Sequence, residues 1–243
     1  MMTQSCDPST GLCEIAPASG EAAARVARPN VALIYVGDPM CSWCWGVSPA
    51  VRQIAHYCDE QQIGFSLLVG GLRPGGGDPW SENFRSFLRH EWQTIQQRTG
   101  QPFGFQLLDR ASYNYDTEPA CCAIVAAREM LQGRRRAATT LVSFFSSVQE
   151  KFYTRGEDPS EIEFYREICA QHQLDFERFQ AAVRSQATLR ATRQEYAQVR
   201  QMGVRGFPSF LLQSQERINL IQAGYTTAQQ LQDAIAGAAT LRR

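Results

Sequence analysis

Cys41 and Cys44, in the segment Asp38-Pro39-Met40-Cys41-Ser42-Trp43-Cys44-Trp45-Gly46, are the residues whose type and spacing point most directly to chemistry. Cysteines three residues apart on a helix lie about one turn from each other. One sulfur can then attack a mixed disulfide held on the other and release the partner. A cysteine becomes a nucleophile when its thiolate is stabilised, and the first turn of a helix offers unpaired backbone N–H groups and the positive end of the helix dipole. Cys41 fits that position. The preceding run, Val31-Ala32-Leu33-Ile34-Tyr35-Val36, is short, apolar and β-branched, and Gly37-Asp38-Pro39 ends it as a turn. Beyond the cysteines, Val47, Val51, Ile54, Ala55 and Cys58 recur at helical spacing, with Pro49 as an interruption. A strand, a turn and a helix start are therefore the elements that must position the pair.

The same Cys-x-x-Cys spacing also makes half of a zinc site. A tetrahedral zinc needs further ligands, and the sequence has no second Cys-x-x-Cys; His56, Cys58 and the adjacent Cys121-Cys122 are scattered. Redox chemistry is the better reading, with no metal and no cofactor beyond the disulfide itself and an external thiol donor such as glutathione or a thioredoxin system. Of the eight cysteines, Cys58, Cys121, Cys122 and Cys169 fall on helical patterns and read as small buried hydrophobes. Cys6 and Cys13 flank a Pro/Gly turn; they are a candidate auxiliary redox pair, set against two free thiols on an exposed tail. His56, His90 and His172 have no spacing to an acid and a nucleophile that suggests catalysis.

Around that centre the chain divides readily. Residues 1–28 are rich in small residues, Pro, Ser and Gly without periodicity, and read as a mobile arm. A second strand runs from Ile63 to Val69, closed by Gly70-Gly71, and the Pro/Gly-rich stretch from Arg73 to Pro79 is a boundary. Trp80 to Met202 reads as a block of helices, with stops at Gly100 and Gly133, N-caps at Thr117, Asp158 and Asp175, and Pro159 as a first helical residue. Arg134-Arg135-Arg136 is a solvated helix start. Two strands, 208–212 and 217–221, form an antiparallel hairpin, and a last helix from Thr226 buries Leu231 and Ile235. The order is an α/β sheet interrupted by helices.

The segment from Asp38 to Gly46, followed by Pro49, resembles the active-site helix of the DsbA-like branch of the thioredoxin superfamily, in particular bacterial proteins with Cys-x-Trp-Cys. Gly203-Val204-Arg205-Gly206-Phe207-Pro208-Ser209-Phe210 is similar to the loop in which that superfamily sets a cis-proline before an edge strand. Gly70-Gly71-Leu72 and Thr117-Glu118-Pro119-Ala120 are also family-like. The resemblance implies a thioredoxin-like domain built from 29–77 and 203–243, with an all-helical domain, 78–202, inserted between. It further implies Cys41 and Cys44 as the catalytic pair, and a cis Phe207–Pro208 bond facing the Cys41 sulfur. Phe207 would then offer its N–H and C=O to an extended substrate, and Trp43 is a candidate apolar surface beside it.

The implied activity is thiol–disulfide exchange on protein, peptide or small-thiol disulfides, with the direction open among reductase, isomerase and relay. Glutathione transferases of the kappa class and chromene-carboxylate isomerases share the architecture but carry serine or a single reactive residue where this chain has two cysteines. The alternative is a cytosolic thioredoxin-fold adaptor that binds a protein partner and whose cysteines are redox-sensitive but non-catalytic. Over 243 residues the formal net charge is zero, so neither nucleic acid nor an anionic membrane surface is an expected partner. No apolar run of signal or membrane-span length is apparent, and a cytoplasmic location is expected.

Overall fold

The computed structural model describes residues 5–6, 13–14, 31–214 and 217–240, without the side chains of 5–6, 13–14 and 238–240. Strand β1 (Ser5–Cys6) pairs antiparallel with β2 (Cys13–Glu14), with Cys6 opposite Cys13 in the backbone register. The Cys6 and Cys13 side chains, and the rest of the arm, lie outside the described residues.

A four-stranded sheet in the order β4-β3-β5-β6 carries the fold. Strand β3 (Val31–Gly37) runs parallel to β4 (Gly64–Val69), joined to it through helix α1 (Ser42–Glu60). Strand β5 (Ser209–Ser214) returns antiparallel on the other side of β3 and pairs with β6 (Arg217–Ala223). The hairpin is as read from sequence, but β5 is an inner strand and the edge is β6, which corrects the expectation that Pro208 precedes an edge strand.

The uninterrupted apolar run of β3 is explained by burial on both faces. Leu33 and Tyr35 point into the main core with Val47, Val51 and Ile54 of α1. Ile34 and Val36 point the other way, into a smaller cluster with Leu211, Val199 and Val204.

Between β4 and β5 the chain forms α2 (Glu82–Thr99), α3 (Glu118–Leu131), α4 (Ala137–Arg155), α5 (Arg166–Gln171), α6 (Phe176–Val183) and α7 (Gln186–Gln201); α8 (Ala228–Thr240) closes the chain. Residues 100–117 are not helical apart from a short 3-10 turn at Gln106–Asp109, so the helical block is less continuous than its periodicity suggests. Asp175 caps α6 by accepting from the Arg178 N–H at 2.8 Å, and Gly100 ends α2 with φ 75°. Thr117 does not cap α3: its Oγ1 accepts from the Arg73 N–H at 3.1 Å, and the Asp116 carboxylate takes the Glu118 N–H at 2.9 Å instead. Asp158 and Pro159 open a turn into a second 3-10 segment (Ile162–Tyr165) in place of an α-helix.

Pro49 lies inside α1 without ending it. A proline at that point cannot donate to the Trp45 carbonyl, its i−4 partner. The Gln101 side chain donates to that carbonyl at 3.0 Å, so the acceptor stays satisfied and the helix continues. Among the described residues no helix is long and apolar enough to cross a membrane.

One polar lock ties the helices to the sheet. Arg128 of α3 makes paired hydrogen bonds to the Glu195 carboxylate of α7 at 2.5 and 2.8 Å and donates to the Leu67 carbonyl of β4 at 2.8 Å. Glu195 also accepts from the Val69 N–H at 2.5 Å. Its side chain is 9% exposed, so this pairing is what makes a buried carboxylate tolerable there.

Candidate functional site

Cys41 is the N-cap of α1, with extended backbone (φ −89°, ψ 117°), and its carbonyl accepts the Trp45 N–H at 3.1 Å as the first helical bond. Cys44 sits one turn inside. Cys41 keeps 5% of its surface exposed and Cys44 none, and both are free thiols. The two are neighbours, and Cys44 also faces the Asp38 backbone N–H and the Tyr35 hydroxyl. Burial pushes the Cys44 thiol well above the usual range, reinforced by the adjacent Cys41.

The Phe207–Pro208 peptide bond is cis. The Cys41 Sγ lies 3.6 Å from the Phe207 carbonyl oxygen, across 166 residues of sequence. Phe207 has no acceptor for its N–H among the described residues, whereas the Pro208 carbonyl is taken by the Gly224 N–H at 2.8 Å. Gly70 makes this loop placement possible: a Cβ there would lie 2.0 Å from the Phe207 ring. What reads in sequence as a turn glycine is a seat for an aromatic ring.

Asp38, legible only as a turn residue, is the hub of the site. It is fully buried; its Oδ1 accepts from the Met40 N–H at 2.9 Å, and its Oδ2 accepts from the Leu72 N–H at 2.7 Å and the Cys121 thiol at 3.4 Å. One carboxylate thus joins the turn before Cys41, the loop after β4 and helix α3. Burial raises its carboxyl above the usual carboxylate range, against the pull of the Leu72 and Met40 hydrogen bonds. The Tyr115 hydroxyl donates to the Met40 carbonyl at 2.8 Å and fixes the same turn from the helical block.

Of the two tryptophans, Trp45 is core: it is 3% exposed, stacks on Tyr153 at 6.4 Å and donates to the Pro102 carbonyl at 2.9 Å. Trp43 is half-buried against Tyr225 at 6.3 Å, and the Arg98 guanidinium lies 5.5 Å from the centre of each ring. Arg98 and Tyr225, from the insertion and the segment after β6, carry no sequence signal that links them to Trp43.

Cys58, Cys121, Cys122 and Cys169 are buried. Burial pushes the Cys58 and Cys169 thiols up to about 12 and raises Cys121 and Cys122 as well. Iodoacetamide at pH 8 should label Cys41, 5% exposed at the helix start, and spare Cys44, Cys58, Cys121 and Cys169, which have no exposed surface, as peptide mapping would read. Because their folded-state values lie above the unfolded ones, these buried thiols support folding below pH 9 and that support is lost as pH rises toward 12. Thermal melts of the reduced protein should accordingly shift to lower temperature above pH 9. Equal labelling of Cys41 and Cys44 would contradict the difference in their burial.

Among the described residues no three His, Cys, Asp or Glu side chains gather as a metal site. The arrangement offers one cysteine of slight exposure at a helix start, a second fully buried one turn along, and a loop carbonyl facing the sulfur of the first. Two thiols so placed are able to undergo thiol–disulfide exchange.

None of the curated proteins matches the sequence. A structure from Nitrosomonas europaea, described as a "putative protein disulfide isomerase", superposes with TM-score 0.77 at 26% identity, covering 88% of this chain and all (100%) of that one. The cytosolic disulfide reductase DsbM from Pseudomonas aeruginosa superposes with TM-score 0.68 at 26% identity, covering 87% of this chain and 98% of that chain. DsbM with GSH gives TM-score 0.64 at 27% identity, covering 87% and 100%. The family profile described as Thioredoxin matches residues 34–232. The chain belongs to the thioredoxin family, as a DsbA-like disulfide oxidoreductase fold with helices inserted between the two halves of its sheet.

Proposed function

We propose that the protein is a disulfide reductase in which Cys41 is the nucleophile, Cys44 the resolving thiol, and Phe207, Pro208 and Trp43 the substrate surface. The observation that carries this reading is the Cys41 sulfur at the start of α1, 3.6 Å from the Phe207 carbonyl and with Cys44 fully buried behind it. In the reductive cycle the Cys41 thiolate attacks a substrate disulfide, forming a mixed disulfide and expelling one substrate thiolate. Cys44 then attacks the Cys41 sulfur, the second substrate thiol leaves, and the Cys41–Cys44 disulfide holds the two-electron oxidation. An external thiol, glutathione or a thioredoxin system, returns both electrons.

The similarity to DsbM, whose structure has also been solved with GSH, favours reduction in the cytoplasm with glutathione as donor. On this reading 29–77 and 203–243 form the redox domain and 78–202 is the insertion that covers it. Phe207 would meet an extended substrate through its N–H, so the site binds backbone and discriminates little among side chains. A coupled assay tests the proposal: reduction of a glutathionylated peptide and of insulin, with GSH and glutathione reductase. Turnover above the thiol background supports it, and none with either substrate overturns it.

A further inference from the structure

Tyr35 is a strand residue that the exchange scheme above leaves unused. Its ring is wholly buried, 5.1 Å from Phe210 and edge-on to Phe145 at 6.0 Å. The phenol end lies across Gly37: a Cβ at that glycine would come 2.5 Å from the Tyr35 hydroxyl and 2.7 Å from Cζ. The absence of a side chain at residue 37 therefore opens the path by which the hydroxyl extends toward the first turn of α1. At its end the hydroxyl has no partner meeting hydrogen-bond geometry among the described residues. The group it faces is the sulfur of Cys44.

A buried phenol left without a partner is costly, and cores rarely keep one without a reason. A thiol is a poor acceptor, whereas a thiolate is a strong one and draws a charge-assisted bond from an O–H donor. We propose that the Tyr35 hydroxyl donates to the Cys44 sulfur when that sulfur carries negative charge, and so assists each step in which Cys44 attacks or leaves. The inference rests on the assignment of Cys41 and Cys44 as the redox pair. Burial raises the phenol well above its usual range, so Tyr35 holds its proton throughout and acts as a donor only.

In the resolving direction Cys44 gives up its proton, its sulfur bonds to Cys41, and the Cys41–substrate bond breaks. The departing thiolate takes up a proton, for a net change from one thiol and one mixed disulfide to one disulfide and one thiol. In the reverse direction an incoming thiolate attacks Cys41, the Cys41–Cys44 bond breaks, and Cys44 leaves with the electron pair. Tyr35 and the Asp38 N–H face the charge that appears there. An interaction stronger at that stage than with the resting thiol lowers the barrier.

Tyr35→Phe removes one oxygen and keeps the ring. Stopped-flow reduction of the oxidised full-length protein by glutathione, followed by tryptophan fluorescence, should be about tenfold slower in Tyr35→Phe, as expected for one hydrogen bond to a charged group. Alkylation of Cys41 should be the same in Cys44→Ser and in Tyr35→Phe/Cys44→Ser, which a general disturbance of the site would not leave unchanged. 3-Fluorotyrosine at position 35, a stronger donor of nearly the same size, should speed the step and provides the decisive comparison if the phenylalanine variant folds poorly. An oxidised Tyr35→Phe protein reduced at the wild-type rate, a loss shared equally by Cys41 alkylation, or no acceleration with fluorotyrosine overturns the inference alone. A wild-type protein that forms no Cys41–Cys44 disulfide overturns the assignment of the pair, and this inference with it.

Discussion

Cys41→Ser should lower disulfide turnover to the thiol background, a loss on the order of 10³-fold or more, because a hydroxyl at this position has no accessible anion to attack sulfur. Cys44→Ser should behave differently. With Cys41 intact at the helix start, the first exchange still proceeds, but the buried sulfur that would resolve it is gone. A mixed disulfide should accumulate on Cys41 and be visible by intact mass as one substrate adduct per chain. The asymmetry follows from the geometry: Cys41 is 5% exposed, with its sulfur 3.6 Å from the Phe207 carbonyl, and Cys44 has no exposed surface. Adducts forming on Cys44 in the Cys41→Ser protein at a comparable rate would reverse the roles.

The largest loss of stability should come far from the sulfurs. Arg128→Ala leaves Glu195, 9% exposed, as a buried charge without its cation, and also removes the donor to the Leu67 carbonyl. Breaking such a pair costs about 3–5 kcal/mol. For a chain of this size that corresponds to a fall in Tm of about 10 °C by calorimetry. The double variant Arg128→Met/Glu195→Gln should recover part of the loss, because no net charge stays buried and the glutamine oxygen can still accept from Val69. Activity should drop along with stability, since Glu195 fixes the end of β4 just before Gly70, where the Phe207 ring is seated. A melt within 2 °C of wild type, roughly the shift of a change under 1 kcal/mol, would show that the pair is solvated and of little weight.

How much of this was legible in the sequence depended on distance along the chain. The cysteine pair, the strand before it, the hairpin and the last helix are local patterns, and each is found where its period places it. The site's supports are not local. Asp38 and Gly70 both carry turn chemistry, and only the fold shows that one gathers three elements and the other makes room for a ring. Glu195 lies 67 residues from Arg128, and no local pattern links the two. Thr117 and Asp158 carry the capping signature, but a threonine hydroxyl satisfies whichever N–H reaches it first, and here that is Arg73. Pro49 looks like an interruption in the sequence because its compensation, the Gln101 side chain, sits beyond the next helix. Pro208 precedes an inner strand because β6 covers the side of β5 that would otherwise be an edge.

Exchange of electrons between the Cys41–Cys44 pair and a disulfide substrate is revealed by locating the disulfide after one turnover. The fully reduced protein is mixed with one equivalent of glutathionylated peptide, quenched with acid, denatured, alkylated with N-ethylmaleimide and mapped by mass spectrometry. One linked peptide pair, Cys41 with Cys44, should appear as the peptide thiol is released, with Cys58, Cys121, Cys122 and Cys169 all alkylated. Alkylation of both Cys41 and Cys44 after substrate has been reduced, or a disulfide formed between other cysteines in their place, would contradict exchange through this pair.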